Sequence, residues 1–363
     1  MLENSQNLNG ESGIVQPSTV SAGPLIVSAA LAVLVFAFCT FVVQPQDWHT
    51  SDFYSFWVGA RLAGHRVYDS SQAESIQRGV SPLVQSKRYI RPPFYALALW
   101  PLGRLPFRMA YVLWFVLNAA AVLAFVFVWR FHPASYVACA LFLPLGWSFG
   151  IGQDAPLLLL IVAAGARCIE QKKELAGGAL LALCAIKPHI FLFVPVVLLA
   201  QKKYRALLAI AIAGSFLYLL SSAMLGLLWP VDFVRAVVAN EAIIRPRLLG
   251  MAGLLARIGA PGWVTPLGIA VGAAIVYRGT RKVAWRSSIA LGVAAGTVFA
   301  PRSMVYDASF FLPLLLLQFQ PAGVIIAGAA LVTIVTPAAI IAEIFSFAIL
   351  WFGRFPRQIS RKK

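Results

Sequence analysis

The stretch that decides the fold runs from Met109 to Trp129 and reads MAYVLWFVLNAAAVLAFVFVW. It carries no charged residue and matches the roughly 20 apolar residues that an α-helix needs to cross a bilayer. Its apolar residues do not alternate strictly with polar ones, so they predict a helix rather than a strand of a membrane barrel. A second uncharged run, Ala22 to Val43, has the same character and predicts the first transmembrane helix.

The composition of the whole chain leads to the same class. The protein has 363 residues, of which 60% are hydrophobic and 12% are charged, and its mean hydropathy is +0.80. A soluble domain carries about 25% charged residues, so this chain needs lipid as the solvent for much of its surface. In lipid, only helices and closed barrels satisfy the backbone. We therefore predict an all-α, polytopic transmembrane bundle of about 10–12 helices, some of them short or broken.

The predicted elements divide the chain into one membrane domain and two tails. Residues 1–21 predict a disordered cytoplasmic tail, and residues 353–363 a basic cytoplasmic tail. Residues 22–352 predict a single transmembrane domain, whose first extracytoplasmic loop is 44–91. The apolar runs predict clear helices over the ranges 109–129, 134–150, 154–169, 206–228, 263–278 and 286–300.

Four apolar segments do not fit simple spans. Pro92 to Pro106 is short and interrupted by prolines, which favours an interfacial or re-entrant segment. Leu175 to Ala200 predicts two short helices that meet at Lys187, because this break leaves the lysine pairs on both flanks on one side. Tyr306 to Gln318 is another short piece, and Pro321 to Phe352 is long enough to fold as a hairpin.

The distribution of charge predicts the orientation. The net charge of +17 does not indicate nucleic-acid binding, since the basic residues form short clusters between apolar segments. Clusters near Lys172, Lys202, Arg281 and in the C-terminal tail are typical of cytoplasmic loops. Most acidic residues then map to the opposite side, and charges at membrane depth are usually functional. The sequence thus predicts a functional site on the non-cytoplasmic face.

A series of short motifs follows the first helix. They are Asp52-Phe53-Tyr54-Ser55-Phe56-Trp57-Val58-Gly59-Ala60-Arg61, then Val67-Tyr68-Asp69, Tyr89-Ile90-Arg91-Pro92-Pro93-Phe94, Gly152-Gln153-Asp154 and Ile186-Lys187-Pro188. In this order and spacing they resemble glycosyltransferase family 87, a branch of the GT-C membrane glycosyltransferases, over roughly residues 25–320. The resemblance implies a GT-C-type bundle and a polyprenyl-phosphate-linked sugar donor, typically mannose. It also implies inverting transfer to a lipid or glycan acceptor, with an acidic residue of the first outer loop as base.

Asp52 occupies the place of that base, and the physical chemistry of the reaction suits the other polar residues. A carboxylate that takes the acceptor proton is worth about 10²–10⁴-fold in rate. A phosphate leaving group needs cations rather than a second acid, which makes Arg91, Lys187 and Arg302 candidates. The remaining substrate-binding candidates are Asp69, Gln153, Trp57 and Tyr68.

Each candidate also has a structural alternative. Asp52 and Asp69 are suitable residues to cap helices or turns. Lys187 can extend to the interface as a snorkelling side chain, and Arg91 can anchor its loop to lipid headgroups. Asp154 suits a helix start more than a site. The aromatic cluster Phe53-Tyr54-Phe56-Trp57 predicts a surface on which a sugar ring stacks.

The expected partners are the lipid-linked sugar donor, its acceptor and membrane lipids, in a bacterial-type inner (cytoplasmic) membrane. We predict no cofactor and no metal site, because the histidines and the four cysteines lack metal-ligand spacing; whether a divalent metal assists the reaction stays open. A transporter or flippase for a lipid-linked or anionic solute is the alternative from another class. A lipid-linked glycan ligase or polymerase is the nearest enzymatic alternative.

Overall fold

The computed structural model describes residues 22–41, 51–64, 66–80, 88–244, 248–261 and 263–333 of the chain. Within these ranges every regular element is helical and no strand occurs, which confirms the all-α class. The helices are α1 Ala22–Phe41, α2 Phe53–Arg61, α3 Ser70–Val80, α4 Pro93–Ala98, α5 Trp100–Gly103, α6 Phe107–Trp129, α7 Ala134–Leu141, α8 Leu143–Gly150, α9 Ala155–Glu170, α10 Glu174–Ala182, α11 Val194–Ala200, α12 Tyr204–Leu225, α13 Trp229–Ile244, α14 Gly250–Arg257, α15 Val264–Thr280, α16 Trp285–Phe299, α17 Leu312–Gln318 and α18 Pro321–Thr333. Two 3-10 segments cover Leu183–Ile186 and Val305–Phe311.

The surface of the bundle is that of a membrane protein. Helices α6 and α12 are both long and apolar enough to cross a bilayer. On α12 the side chains of Leu208, Ile212, Phe216 and Leu219 are all more than half exposed. They recur at helical spacing and so form one apolar face. An apolar face of this size is stable against lipid and not against water.

Two predicted regions differ from the structure. The segment 134–150 was predicted as one helix, but it forms α7 and α8, with extended backbone at Phe142 between them. Pro144 lies in the first turn of α8 and has no N–H group to continue the hydrogen bonds of α7, which explains the break. Between α12 and α15 no helix was predicted, and the structure has α13 and α14 there.

The predicted break near Lys187 is confirmed. Helix α10 leads into the 3-10 segment Leu183–Ile186, a turn over 187–193 follows, and α11 begins only at Val194. This turn packs directly against α16 at Gly296. A Cβ atom at Gly296 would lie 1.5 Å from the carbonyl oxygen of Ile190, so only glycine permits this approach. This close contact fixes the position of the turn that carries Lys187.

Helix α9 separates two groups of charged residues. At its C-terminal end Glu170 pairs with Arg286 at 2.9 Å, and nearby Glu174 pairs with Lys203 at 3.1 Å. The Gln201 side chain donates to the Val283 carbonyl at 2.9 Å, so the basic connections that follow α9, α11 and α15 meet at this end. The N-terminal end of α9 carries Asp154 and belongs to the opposite end of the bundle.

Several predictions fall on other parts of the chain. The tails 1–21 and 353–363 and the second half of the hairpin, 334–352, lie outside the described residues. So do 42–50, 65, 81–87, 245–247 and 262. The segment 92–106 contains only the short helices α4 and α5, in keeping with its predicted interfacial or re-entrant character.

Candidate active site

A tight turn between α8 and α9 forms the floor of the site. Gly152 has a φ of +69°, which favours glycine, and a Cβ atom there would also lie 2.7 Å from the Cβ of Phe53. The Trp114 indole donates to the Gly152 carbonyl at 2.9 Å. The backbone N–H of Asp52 donates to the Ile151 carbonyl at 2.7 Å. These contacts place Asp52 and Gln153 side by side, although they are far apart in sequence.

Arg91 lies in the interior, with only 4% of its surface exposed. Its guanidinium binds the Asp154 carboxylate in a two-point contact, with Nε–Oδ2 at 2.9 Å and Nη2–Oδ1 at 3.2 Å. The Tyr68 hydroxyl donates to the Arg91 carbonyl at 2.8 Å and holds the backbone. The alternative that Arg91 anchors its loop to lipid headgroups is therefore wrong.

Lys187 is also buried, with 2% of its surface exposed. Its ammonium lies 2.7 Å from Asp307 Oδ1, 3.2 Å from Asp154 Oδ1 and 3.2 Å from Gln153 Oε1. An ammonium has three N–H donors, and these three oxygens occupy them. The snorkelling alternative is wrong, because the side chain points into the protein and not toward the interface.

The buried cluster of Arg91, Lys187, Asp154 and Asp307 contains two positive and two negative charges. Burial disfavours the charge of the Asp154 carboxylate, and its ion pairs with Arg91 and Lys187 offset that cost. Asp154 lies at the N-terminal end of α9, which confirms its predicted position at a helix start, but its carboxylate makes no capping hydrogen bond and pairs with Arg91 and Lys187. Asp154 and Asp307 instead neutralise the two cations.

Asp307 is not among the site residues predicted from the sequence. One of its carboxylate oxygens holds Lys187, and the other accepts the backbone N–H of Met304 at 2.9 Å. The second contact fixes the start of the 3-10 segment Val305–Phe311. Nothing in the sequence around Asp307 predicts the pairing, because its partner is far away in the chain.

Gln153 connects this cluster to Asp52. Its Nε2 donates to Asp52 Oδ2 at 2.5 Å, and its Oε1 accepts from Arg91 Nη2 at 3.2 Å and from Lys187 Nζ at 3.2 Å. Asp52 is half-buried and stands at the N-terminus of α2, but its side chain makes no capping hydrogen bond. The helix-cap alternative for Asp52 is therefore wrong.

A cavity of about 170 Å³ opens beside the cluster. Its lining includes Arg91, Lys187 and Asp307 of the cluster, together with the half-buried Arg302 and His189. Tyr306 also lines the cavity. Gln153 contacts Arg91 and Lys187 in the wall of this cavity and also the Asp52 carboxylate, so one side chain links the cavity to Asp52.

A larger groove of about 760 Å³ lies among α4, α6, α9 and α12. Its walls are mainly apolar, and Ile186 lines both this groove and the cavity. Two buried polar atoms on its walls, Tyr95 Oη and Asn118 Oδ1, have no hydrogen-bond partner among the described residues. Buried polar groups are usually paired, so these two atoms are exceptions within the helical core.

The model of the family described as Glycosyltransferase family 87 matches residues 89–301, more than half of the chain. The chain belongs to glycosyltransferase family 87. No curated protein and no solved structure matches the chain. The matched range of this family 87 glycosyltransferase includes Arg91, Gln153, Asp154 and Lys187 and begins after Asp52.

The remaining candidates of the glycosyltransferase lie apart from the ion cluster or inside the core. Trp57 is buried and its indole donates to the Leu105 carbonyl at 3.0 Å. Phe53, Tyr54 and Phe56 are buried with it, so the predicted stacking surface for a sugar is wrong and these rings pack the core. They support α2 and hence the position of Asp52.

Asp69 of the glycosyltransferase is half-buried and stabilises the start of α3. Its Oδ1 accepts the backbone N–H groups of Ser71 at 3.0 Å and Gln72 at 3.1 Å. The hydrogen bond from the Ser71 hydroxyl is the main reason that the pKa of Asp69 is lowered. Among the residues that the structure describes, no group of three His, Cys, Asp or Glu side chains forms a metal-binding constellation.

Proposed function

We propose that this family 87 glycosyltransferase moves a sugar, with mannose the expected one, from a polyprenyl-phosphate donor to a lipid or glycan acceptor. The reaction inverts the anomeric centre and takes place on the extracytoplasmic face of a multi-pass inner-membrane protein. Asp52 is the base. The observation that carries the proposal is that a cation-lined cavity and an apolar groove share Ile186 in their walls, and that Gln153 links the cations of this cavity to the Asp52 carboxylate.

The shape and chemistry of these two spaces support a lipid-linked donor. A soluble nucleotide-sugar would need polar partners along its whole length, whereas the groove is mainly apolar and lies among membrane helices. The chain of a polyprenyl phosphate suits the groove, and its phosphate suits the cavity.

The chemical step needs one base and one site for negative charge. The acceptor hydroxyl oxygen attacks the anomeric carbon, the bond from that carbon to the phosphate oxygen breaks, and Asp52 takes the hydroxyl proton. The products are the glycosylated acceptor and polyprenyl phosphate. A second carboxylic acid is unnecessary, because the phosphate leaves as a stable anion.

Arg302 is the cation that we assign to the leaving phosphate. Lys187 has its three donors occupied by oxygens of Asp154, Asp307 and Gln153. Arg302 lines the same cavity, is half-buried and carries five N–H donors in a planar fork that matches phosphate oxygens. Lys187 and Arg91 then act on the phosphate through the electrostatic field of their charges and not through direct hydrogen bonds.

The donor class is tested with purified protein. Radiolabelled polyprenyl-phosphate mannose and polyprenyl-phosphate glucose are each supplied with a membrane lipid extract as acceptor, and nucleotide-mannose serves as the comparison. We expect transfer of label from a polyprenyl-phosphate donor to a glycolipid or glycan and none from the nucleotide sugar. Transfer from the nucleotide sugar alone would refute the proposed donor class.

The base is tested with Asp52→Asn, which keeps the shape of the side chain and removes its basicity. We expect turnover to fall about 10²-fold or more, with donor binding retained. Asp69→Asn is the matched control, since the Asp69 side chain caps the start of α3, and the turnover of this variant should stay within a few-fold of the wild type. Normal transfer by folded Asp52→Asn would exclude Asp52 as the base.

A further inference from the structure

The neutral polar side chain of Gln153 contacts both the buried ion cluster and Asp52. It is buried, and its two ends face opposite kinds of partner. The Oε1 atom lies 3.2 Å from each of Arg91 Nη2 and Lys187 Nζ, whereas Nε2 lies 2.5 Å from Asp52 Oδ2. The site therefore distinguishes the oxygen end of this amide from its nitrogen end.

This orientation is dictated by charge. With the amide reversed, its NH₂ group would face two cations that have only protons to offer, and its oxygen would face the Asp52 carboxylate, which has only lone pairs. Both contacts would then be repulsive. The amide has one stable orientation, and in it an N–H group points at a carboxylate oxygen of Asp52.

The main chain around Gln153 is held as firmly as the side chain. Its N–H donates to the Ser148 carbonyl at 2.8 Å, and the preceding residue, Gly152, accepts from the Trp114 indole at 2.9 Å. The backbone of Asp52 is bonded to Ile151 of the same turn at 2.7 Å. Asp52 is therefore attached to this turn twice, once through its main chain and once through its carboxylate.

We propose that Gln153 is a positioning residue that orients the Asp52 carboxylate, and that Arg91 and Lys187 serve this by fixing the Gln153 amide. This inference rests on the proposed role of Asp52 as base. One oxygen of Asp52 is held by Gln153, which limits rotation of the carboxylate and directs its second oxygen. A misplacement of about 1 Å can cost about 10²-fold in rate, so a fixed carboxylate matters for catalysis. Gln153 contacts neither donor nor acceptor in this role.

Two variants distinguish a Gln153 that positions the Asp52 carboxylate from a Gln153 that only stabilises the ion cluster. Gln153→Met keeps the length of the side chain and removes both of its polar ends. Gln153→Glu keeps an oxygen for Arg91 and Lys187 but replaces the donor that faces Asp52 by a second acceptor. Gln171→Met is the matched control, because Gln171 lies exposed at the far end of α9.

Donor KM, acceptor KM and kcat are measured for each purified variant, and folding is checked by thermal unfolding. We expect kcat to fall about 10- to 100-fold in both Gln153 variants, with each KM within about 3-fold of the wild type. Gln171→Met should match the wild type. If Gln153 only supported the cations, Gln153→Glu would keep wild-type kcat, and that result overturns the proposal. A raised donor KM with unchanged kcat also overturns it, because Gln153 would then be a substrate ligand.

The double variant Asp52→Asn/Gln153→Glu makes the test specific to the base. A residue that acts through Asp52 has nothing left to position once the base is removed, so the double variant should transfer no more slowly than Asp52→Asn. A further 10-fold loss in the double variant would contradict the inference. The two proposals fail separately: an active Asp52→Asn refutes the base, whereas an inactive Asp52→Asn with an active Gln153→Glu refutes only the positioning role.

Discussion

At the scale of single residues, the buried charges depend on each other. Lys187 contacts two buried carboxylates, Asp154 and Asp307, and Arg91 supplies the second positive charge through its own pair with Asp154. A buried ion pair is strongly destabilised when one partner is removed, because the remaining charge keeps its desolvation cost and loses its compensation. The same side chains that organise the site therefore also hold the fold together.

This dependence predicts that Lys187→Met lowers the stability of the protein by about 3–5 kcal/mol. Adding Asp307→Asn should recover part of the loss, since it removes the negative charge that Lys187 compensated while Arg91 still pairs with Asp154. The measurement is thermal unfolding of the purified protein in detergent. Lys203→Met is the control, because its pair with Glu174 is partly exposed and contributes about 0–1 kcal/mol. Equal stability of Lys187→Met and Lys203→Met would show that the cluster is not coupled in this way.

At the scale of helices, the site depends on elements that are short or interrupted. Lys187 reaches the cluster because α10 and α11 are separated by a turn, and Asp307 reaches it from a 3-10 segment. A continuous helix over 175–200 would satisfy its own backbone but would leave no turn at the position of Lys187. Such interruptions are tolerated at membrane depth where the backbone packs against protein. Helix α16 supplies that packing at Gly296.

We predict that Gly296→Ala displaces the 187–193 turn. The added Cβ would lie 1.5 Å from the Ile190 carbonyl oxygen, which is backbone and cannot rotate away. The expected cost is about 1–3 kcal/mol in stability, accompanied by slower sugar transfer because Lys187 moves with the turn. Thermal unfolding and the transfer assay measure the two effects. Gly214→Ala in α12 is the control, with no atom within 4 Å of the added carbon, and a matching loss in it would contradict the explanation.

At the scale of the whole molecule, charge is sorted to two ends of the bundle. Helix α9 has 16 residues and is therefore about 24 Å long, a large part of the thickness of a bilayer core. Its C-terminal end joins the basic connections near Lys172, Lys202 and Arg281, and its N-terminal end joins the ion cluster. Basic residues in short loops are retained in the cytoplasm, which favours an extracytoplasmic site.

This arrangement predicts which single cysteines react from outside intact cells. In a background without native cysteines, Arg78→Cys on the exposed face of α3 should react with a membrane-impermeant maleimide. Lys202→Cys at the opposite end should react only after the membrane is permeabilised. Labelling of Lys202→Cys in intact cells would reverse the orientation and place the site in the cytoplasm.

The sequence by itself determined the all-α class, the long apolar helices, the break at Lys187 and the family. These features follow from local physics: apolar length sets a membrane helix, proline and lysine interrupt it, and short motifs identify relatives. The unpredicted break at Phe142 is also local, but the proline that causes it lies within an apolar run that otherwise reads as one helix. Helices α13 and α14 carry more mixed sequences, whose helical state depends on what they pack against.

Only the tertiary structure decided what the polar residues do. Asp52, Arg91, Gln153, Lys187 and Asp307 come from five separate segments, and nothing local tells which of them meet. Burial distinguished between the alternatives. The aromatic residues near Trp57 are buried and pack the core instead of offering a surface to a sugar. Arg91 and Lys187 are buried in ion pairs instead of lying at the membrane interface. A charge inside a protein must find its counter-charge, whatever the distance along the chain. That requirement is global, so it appears only when the chain is folded.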